Sequence, residues 1–278
     1  YSQEQGCQFE VEVHEKSSKN AIGCRKTNTF FHNIEWRLPL VGGFFCNKLT
    51  KAMLIDTHSH IYEKDFEQDI VQVMERASAN GVKKILLPNV DCSTVEPLLL
   101  LCDKFEGLYP MMGLHPTSVN ANWEEDLGNI RKVLFENPSR FCAVGEVGLD
   151  LYWDKTFVEE QIEALRQQMM WSFELSLPIS IHVRKAFDEL FAVLKSINRK
   201  TYKGVLHCFG GDVNQAKRLI EMGFKIGIGG VLTFKNAHLA EVVAQIDIDD
   251  IVLETDSPYL APVPFRGKRN ESSYVLNI

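Results

Sequence analysis

The chain has no run approaching the roughly 18 consecutive apolar residues that a bilayer span requires. Its most apolar stretch, Leu38 to Cys46, is broken by Pro39, Gly42 and Gly43. No charged flank and apolar core sit close enough to Tyr1 to form a secretory signal, so a cytoplasmic location with no membrane partner is expected. The seven cysteines (Cys7, Cys24, Cys46, Cys92, Cys102, Cys142 and Cys208) contain no C-x-x-C pair. Their odd number and wide spacing argue against a disulfide framework and against a cysteine-rich zinc site. Excess positive charge is also absent: 30 Lys and Arg face 37 Asp and Glu, a net charge of −7. That balance opposes broad, salt-driven wrapping of duplex nucleic acid. It leaves room for a phosphate-bearing substrate, because bound divalent cations would dominate the field locally. A Walker loop, a G-x-S-x-G elbow and a dinucleotide fingerprint are all missing, and no organic cofactor is expected.

What is present describes a protein with a sizeable core, at 45% hydrophobic and 24% charged residues. Residues 1–52 carry polar, weakly periodic sequence and then mixed aromatics and glycines, and read as an N-terminal extension of unknown role. From Met53 onward, short apolar runs alternate with amphipathic stretches at the spacing of βα units. Strands are predicted at Met53–Asp56, Lys84–Pro88, Tyr109–Gly113, Cys142–Gly145, Ile179–Val183, Gly204–Cys208, Lys225–Gly229 and Ile251–Glu254. Helices are predicted at Asp65–Asn80, Thr94–Phe105, Trp123–Asn137, Phe157–Leu175, Ala186–Ile197, Val213–Met222 and Ala237–Gln245. Eight such strands in series imply an α/β fold of the (β/α)8 TIM barrel type over residues 53–278. The last helix has no counterpart before Ile278, so a C-terminally truncated barrel is expected.

In this architecture chemistry collects at the C-terminal ends of the strands, and the histidines go there. Of eight in the chain, His58 and His60 follow the first predicted strand, His115 the third, His182 ends the fifth and His207 the sixth. Glu146 and Asp256 end the fourth and eighth. His58 and His60, at i and i+2, share one side of an extended segment and can share a metal. An isolated H-x-H is more often a surface or structural feature; six donors at strand ends of one barrel are hard to produce by core packing. His58, His60, Glu146, His182, His207 and Asp256 are therefore the predicted metal ligands. Four imidazoles and two carboxylates exceed the needs of one four-coordinate ion and suit two divalent ions (Mg2+, Mn2+ or Zn2+), with Glu146 as the natural bridge.

The segments Asp56-Thr57-His58-Ser59-His60, Gly113-Leu114-His115-Pro116, Gly145-Glu146-Val147-Gly148-Leu149-Asp150, Ile181-His182-Val183-Arg184, Leu206-His207-Cys208-Phe209 and Leu253-Glu254-Thr255-Asp256-Ser257-Pro258-Tyr259-Leu260 resemble the successive signatures of the TatD family of metal-dependent deoxyribonucleases, within the amidohydrolase superfamily. The resemblance runs from Met53 to about Glu271. It implies a TIM barrel, a divalent-metal site and phosphodiesterase activity on DNA, often exonucleolytic on single strands. By motif match, His58, His60, Glu146 and Asp256 would hold one metal, and Glu146, His182 and His207 the other. The last family signature appears as Arg266-Gly267-Lys268-Arg269-Asn270-Glu271-Ser272, with serine in place of proline. Residues 1–52 match nothing in the family.

The predicted reaction is hydrolysis of a DNA phosphodiester by metal-activated water, with Asp256 as general base and His115 contacting the phosphate or orienting the site. Single strands or frayed ends fit a barrel mouth better than intact duplex. Arg184, Arg266 and Lys268, with Arg269 beside them, are candidate phosphate clamps, against the plainer reading of a solubilising surface cluster. Gly227 to Gly230 could admit phosphate to the backbone or simply close the barrel. Tyr152 and Trp153 could stack a base or merely cover the mouth, and Cys208 is expected to pack rather than react. The rival readings are hydrolysis of a C–N or other ester bond on the same scaffold, and a nucleic-acid-binding scaffold without catalysis.

Overall fold

The computed structural model describes residues 53–278; the N-terminal extension read from the sequence lies outside the described residues. Eight parallel strands follow one another around a nearly closed barrel in chain order. They are β1 (Leu54–Asp56), β2 (Val82–Leu87), β3 (Leu108–Met112), β4 (Ala143–Asp150), β5 (Ile179–Arg184), β6 (Gly204–His207), β7 (Phe224–Ile228) and β8 (Ile251–Leu253). Between them run α1 (Ile70–Ala79), α2 (Val95–Lys104), α3 (Trp123–Glu136), α4 (Val158–Leu175), α5 (Phe187–Ile197), α6 (Val213–Glu221) and α7 (Leu239–Val243). None of these helices is long and apolar enough to cross a membrane.

Local sequence explains the boundaries. Gly81 and Gly223, just past α1 and α6, take φ of +88° and +99°, the left-handed stop that costs glycine little. α6 opens on a capping box in which Asp212 and Gln215 satisfy each other's backbone N–H. β4 runs five residues beyond its predicted end, and all eight of its residues are buried. The extension escapes a hydrophobicity reading because Glu146, Gly148 and Asp150 interrupt the apolar run. Gly148 has φ of +146°, and a Cβ there would strike the His182 carbonyl oxygen; its lack of a side chain is what lets β4 lie against β5.

The barrel closes between β8 and β1 through the chain just beyond the strands. The Thr57 N–H donates to the Leu253 carbonyl at 3.1 Å, the Asp256 N–H to His58 at 2.9 Å and the His60 N–H to Ser257 at 2.7 Å. No α-helix follows β8 among the described residues. The 3-10 turn Ser272–Asn277 packs instead on α1, β1 and β2, with Val275 buried among Ile61, Phe66, Val73 and Leu98.

Candidate metal centre

The strand ends bring His58, His60, His115, Glu146, His182, His207 and Asp256 into one cluster around the Glu146 carboxylate. Oε2 of Glu146 lies 3.0 Å from His58 Nε2 and 3.6 Å from His60 Nε2. Oε1 lies 3.1 Å from His182 Nδ1, 3.3 Å from His115 Nε2 and 3.8 Å from His207 Nε2. Asp256 closes the His58 side, its Oδ1 3.5 Å from His60 Nε2 and 3.6 Å from His207 Nε2. The His58 and His207 rings stack with centroids 3.3 Å apart. Three groupings have ligand atoms within 4.8 Å of one another: His58 with His207 and Asp256, His58 with His60 and Glu146, and His115 with Glu146 and His182.

Contacts behind the cluster set the orientation of the rings. Tyr62 OH donates to the Pro88 carbonyl at 2.7 Å, so its oxygen accepts from His60 Nδ1 at 2.9 Å. Asp150 Oδ2 takes His182 Nε2 at 3.0 Å, and Glu254 Oε2 sits 3.1 Å from His207 Nδ1. That last contact is close but too poorly aligned to count as a hydrogen bond, which leaves both atoms buried without a partner; the attraction is one of charge. In each case the outer nitrogen faces an oxygen acceptor, so that the neutral ring has its lone pair on the inner nitrogen, the tautomer a metal ligand needs. The donor set therefore fits divalent cations. His115 is arranged differently, with Nδ1 accepting the Thr117 backbone N–H at 3.1 Å.

Electrostatics follow from packing these charges together. Burial alone would raise the Glu146 carboxyl, yet His115, His58 and His207 around it hold it well below the usual range. Burial lowers His58 to about 4, helped by the stacked His207. For His207 burial acts in the same direction, but Glu254, Glu146 and Asp256 outweigh it and lift the ring to about 10. Asp256 is opposed by burial and held below its ordinary value by His207 and His60. A carboxylate-centred cluster of mutually repelling imidazoles is the electrostatic condition that cations relieve.

The TatD related DNase family profile matches residues 55–278, covering every residue of this cluster. The chain belongs to that family. It is 38% identical over 224 residues to the uncharacterized metal-dependent hydrolase YabD of Bacillus subtilis, covering 80% of this chain and 87% of that one. The crystal structure of YjjV, a TatD homolog from Escherichia coli K12, superposes with a TM-score of 0.75 at 32% identity, covering 80% and 86% of the two chains. A TatD family hydrolase from Entamoeba histolytica gives a TM-score of 0.72 at 25% identity, covering 81% and 88%. The protein is thus a metal-dependent hydrolase of the TatD family.

The remaining candidates lie outside the carboxylate–imidazole cluster. Arg184, two residues past His182, stacks over Tyr152 at 3.9 Å and Trp153 at 5.1 Å on the exposed surface. Arg266 lies 3.8 Å over the Phe234 ring, and Lys268 lines a surface hollow with Arg76, Asn80 and Tyr274. The terminal family signature does structural work in this fold. Arg269 grips Asp69 with both terminal guanidinium nitrogens at 2.7 Å, Glu271 binds Arg76, and Asn270 donates to the Thr255 and Tyr259 carbonyls at 2.7 Å. Ser272, where the family has proline, is buried with its hydroxyl 3.4 Å from that of Ser59. Of the glycines, Gly227 makes room for the Glu254 carboxylate and Gly230 for the Leu260 backbone.

Sequence reasoning missed Tyr62, Asp150 and Glu254 as supports of the ligands. A signal existed for each. Tyr62 is two residues past His60, Asp150 lies on β4 in phase with Glu146, and Glu254 precedes Asp256 by two.

Proposed function

We propose that this protein hydrolyses phosphodiester bonds of DNA, acting on single strands or frayed ends, with two divalent cations held across Glu146. The observation that carries the reading is the division of Glu146, whose Oε2 faces His58 and His60 while Oε1 faces His182 and His207. His58, His60, Glu146 and Asp256 would hold one ion, and Glu146, His182 and His207 the other. An imidazole-rich set favours Zn2+ or Mn2+ over Mg2+. Bound there, such ions lower the pKa of water and neutralise charge on the phosphoryl oxygens.

The side chains supply the rest. Asp256 is the most open carboxylate of the cluster, with its side chain 16% exposed against 3% for Glu146. It is ionised at neutral pH because His207 and His60 stabilise its charge against burial. It receives the proton of the attacking water as the P–O bond breaks. Asp150 and Glu254 act behind it by keeping the His182 and His207 rings in place.

The test is degradation of end-labelled single-stranded and duplex oligonucleotides by the full chain with Mg2+, Mn2+ or Zn2+. Metal-dependent shortening from an end, faster on single strands and abolished by chelation, is the expected result. A metal-loaded protein inert toward every oligonucleotide overturns the proposal.

A further inference from the structure

We infer that His115 is not a metal ligand but a hydrogen-bond donor, whose Nε2–H binds an oxygen of the substrate phosphate. By position alone His115 qualifies as a ligand, since its Nε2 groups with Glu146 and His182. The wiring of the ring excludes it.

His60, His182 and His207 each turn an outer nitrogen toward an oxygen acceptor: Tyr62 OH, Asp150 and Glu254. In the neutral ring that puts the proton outside and the lone pair inside. His115 is wired in reverse. It is the N-cap of the 3-10 turn Pro116–Ser118, where its Nδ1 accepts the backbone N–H of Thr117 at 3.1 Å. An amide N–H cannot reverse its polarity, so Nδ1 must offer a lone pair. The Thr117 hydroxyl, 2.7 Å from the same nitrogen, can add a second donor. The neutral ring then carries its proton on Nε2, the nitrogen that faces the cluster 3.3 Å from Glu146 Oε1. A protonated nitrogen has no lone pair for a cation.

Placement agrees with a substrate contact. The His115 side chain is 12% exposed and, like that of His182 at 18%, lies nearer the solvent than His58 and His207 at 1% and 2%. Its ring lies edge-on to His182 with centroids 4.7 Å apart, at the rim where a phosphate would enter. Glu146 Oε1 shows the kind of acceptor the N–H prefers, an anionic oxygen, and a phosphate offers another. Fixed donors aimed at phosphoryl oxygens stabilise the charge that develops there. The identity of that anion rests on the phosphodiesterase reading above; the tautomer does not.

Three measurements without oligonucleotide and one of turnover test it. In 15N-histidine NMR of the full chain, with and without Zn2+, His115 should show an unprotonated Nδ1 and a protonated Nε2. His115→Phe should retain the wild-type metal content by elemental analysis, while His182→Ala should lose metal. The Zn2+-loaded His115→Phe protein should bind inorganic phosphate roughly 10- to 100-fold more weakly, the loss of one hydrogen bond to a charged group. His115→Gln, which keeps an N–H donor, should recover part of that affinity and part of any oligonucleotide turnover. Loss of a metal ion in His115→Phe, an unprotonated Nε2 in the loaded protein, or unchanged phosphate affinity overturns the inference. If wild-type protein cleaves no oligonucleotide while the tautomer, metal content and phosphate results hold, the nuclease reading fails and the donor assignment stands.

Discussion

The arc from β3 to β7 and the seam from β8 to β1 are built on different principles. In the arc, β4 is buried along its whole length and packs with Leu165, Ile181, Leu206 and Ile226 in one continuous apolar core. At the seam, no residue of β8 is fully buried and Ile55 on β1 is 36% exposed. What sits beneath the seam is polar. Asp56, Ser59, Thr255, Ser257, Asn270 and Ser272 are all buried and bonded together. Thr255 donates its N–H and hydroxyl to Asp56 at 2.9 and 2.6 Å, and Ser59 meets Ser257 at 2.7 Å. The arc is held by area and the seam by directed bonds, and the candidate metal ligands come from both. Glu146, His182 and His207 come from the arc; His58, His60 and Asp256 hang from the seam.

The largest expected effect comes from the one residue that serves both regions. Glu146→Ala should reduce metal content and hydrolysis below the level of any single histidine variant. Elemental analysis finding two ions retained there would detach Glu146 from one side of the centre. Next is Asp256→Asn on the seam side. It should leave the fold intact while turnover falls at least about 10²-fold, the low end of general-base effects; near-normal rates in the folded variant would move the base elsewhere.

Stability separates the regions further. Leu165→Ala, in the middle of α4 and fully buried, should cost about 2–5 kcal/mol in chemical denaturation. A loss below that range would mean the arc is less tightly packed than its burial implies. The smallest effect is a pH dependence at the seam. Burial lifts Asp56 from its ordinary 3.8 to about 7, against hydrogen bonds from Ser272 and Thr255. A folded value above the unfolded one stabilises fully below about 4, and that contribution disappears as pH rises through 7. Metal-free wild type should therefore gain Tm relative to Asp56→Asn on acidification from pH 8 to 5; parallel curves would show that Asp56 does not titrate with folding.

The contrast also explains what could be read from the sequence. The βα rhythm was legible because strands covered on both faces are apolar throughout, and all eight strands lie where the pattern predicts. The candidate ligands, read from the strand ends, are brought together in one cluster. The extension of β4 was hidden because alternate residues of its last five, Glu146, Gly148 and Asp150, break the apolar run, while Val147 and Leu149 pack in the core. Arg269 looked like a phosphate clamp because a sequence does not show that Asp69, 200 residues away, has already taken its guanidinium. His115 was already set apart from the predicted metal ligands in the sequence, as a phosphate contact or an orienting residue; what the sequence did not show is the Thr117 amide that donates to its Nδ1.

The exposed pair beyond β4 has an optical consequence. Among the described residues Trp171 is 5% exposed and sealed in the core, whereas Trp153 is 70% exposed, with the Arg184 guanidinium 5.1 Å from its ring. Arg184 follows His182 by two residues on β5, so whatever enters beside His182 arrives within reach of that indole. Its emission is a label already built into the rim, and a ligand that settles beside His182 should change it.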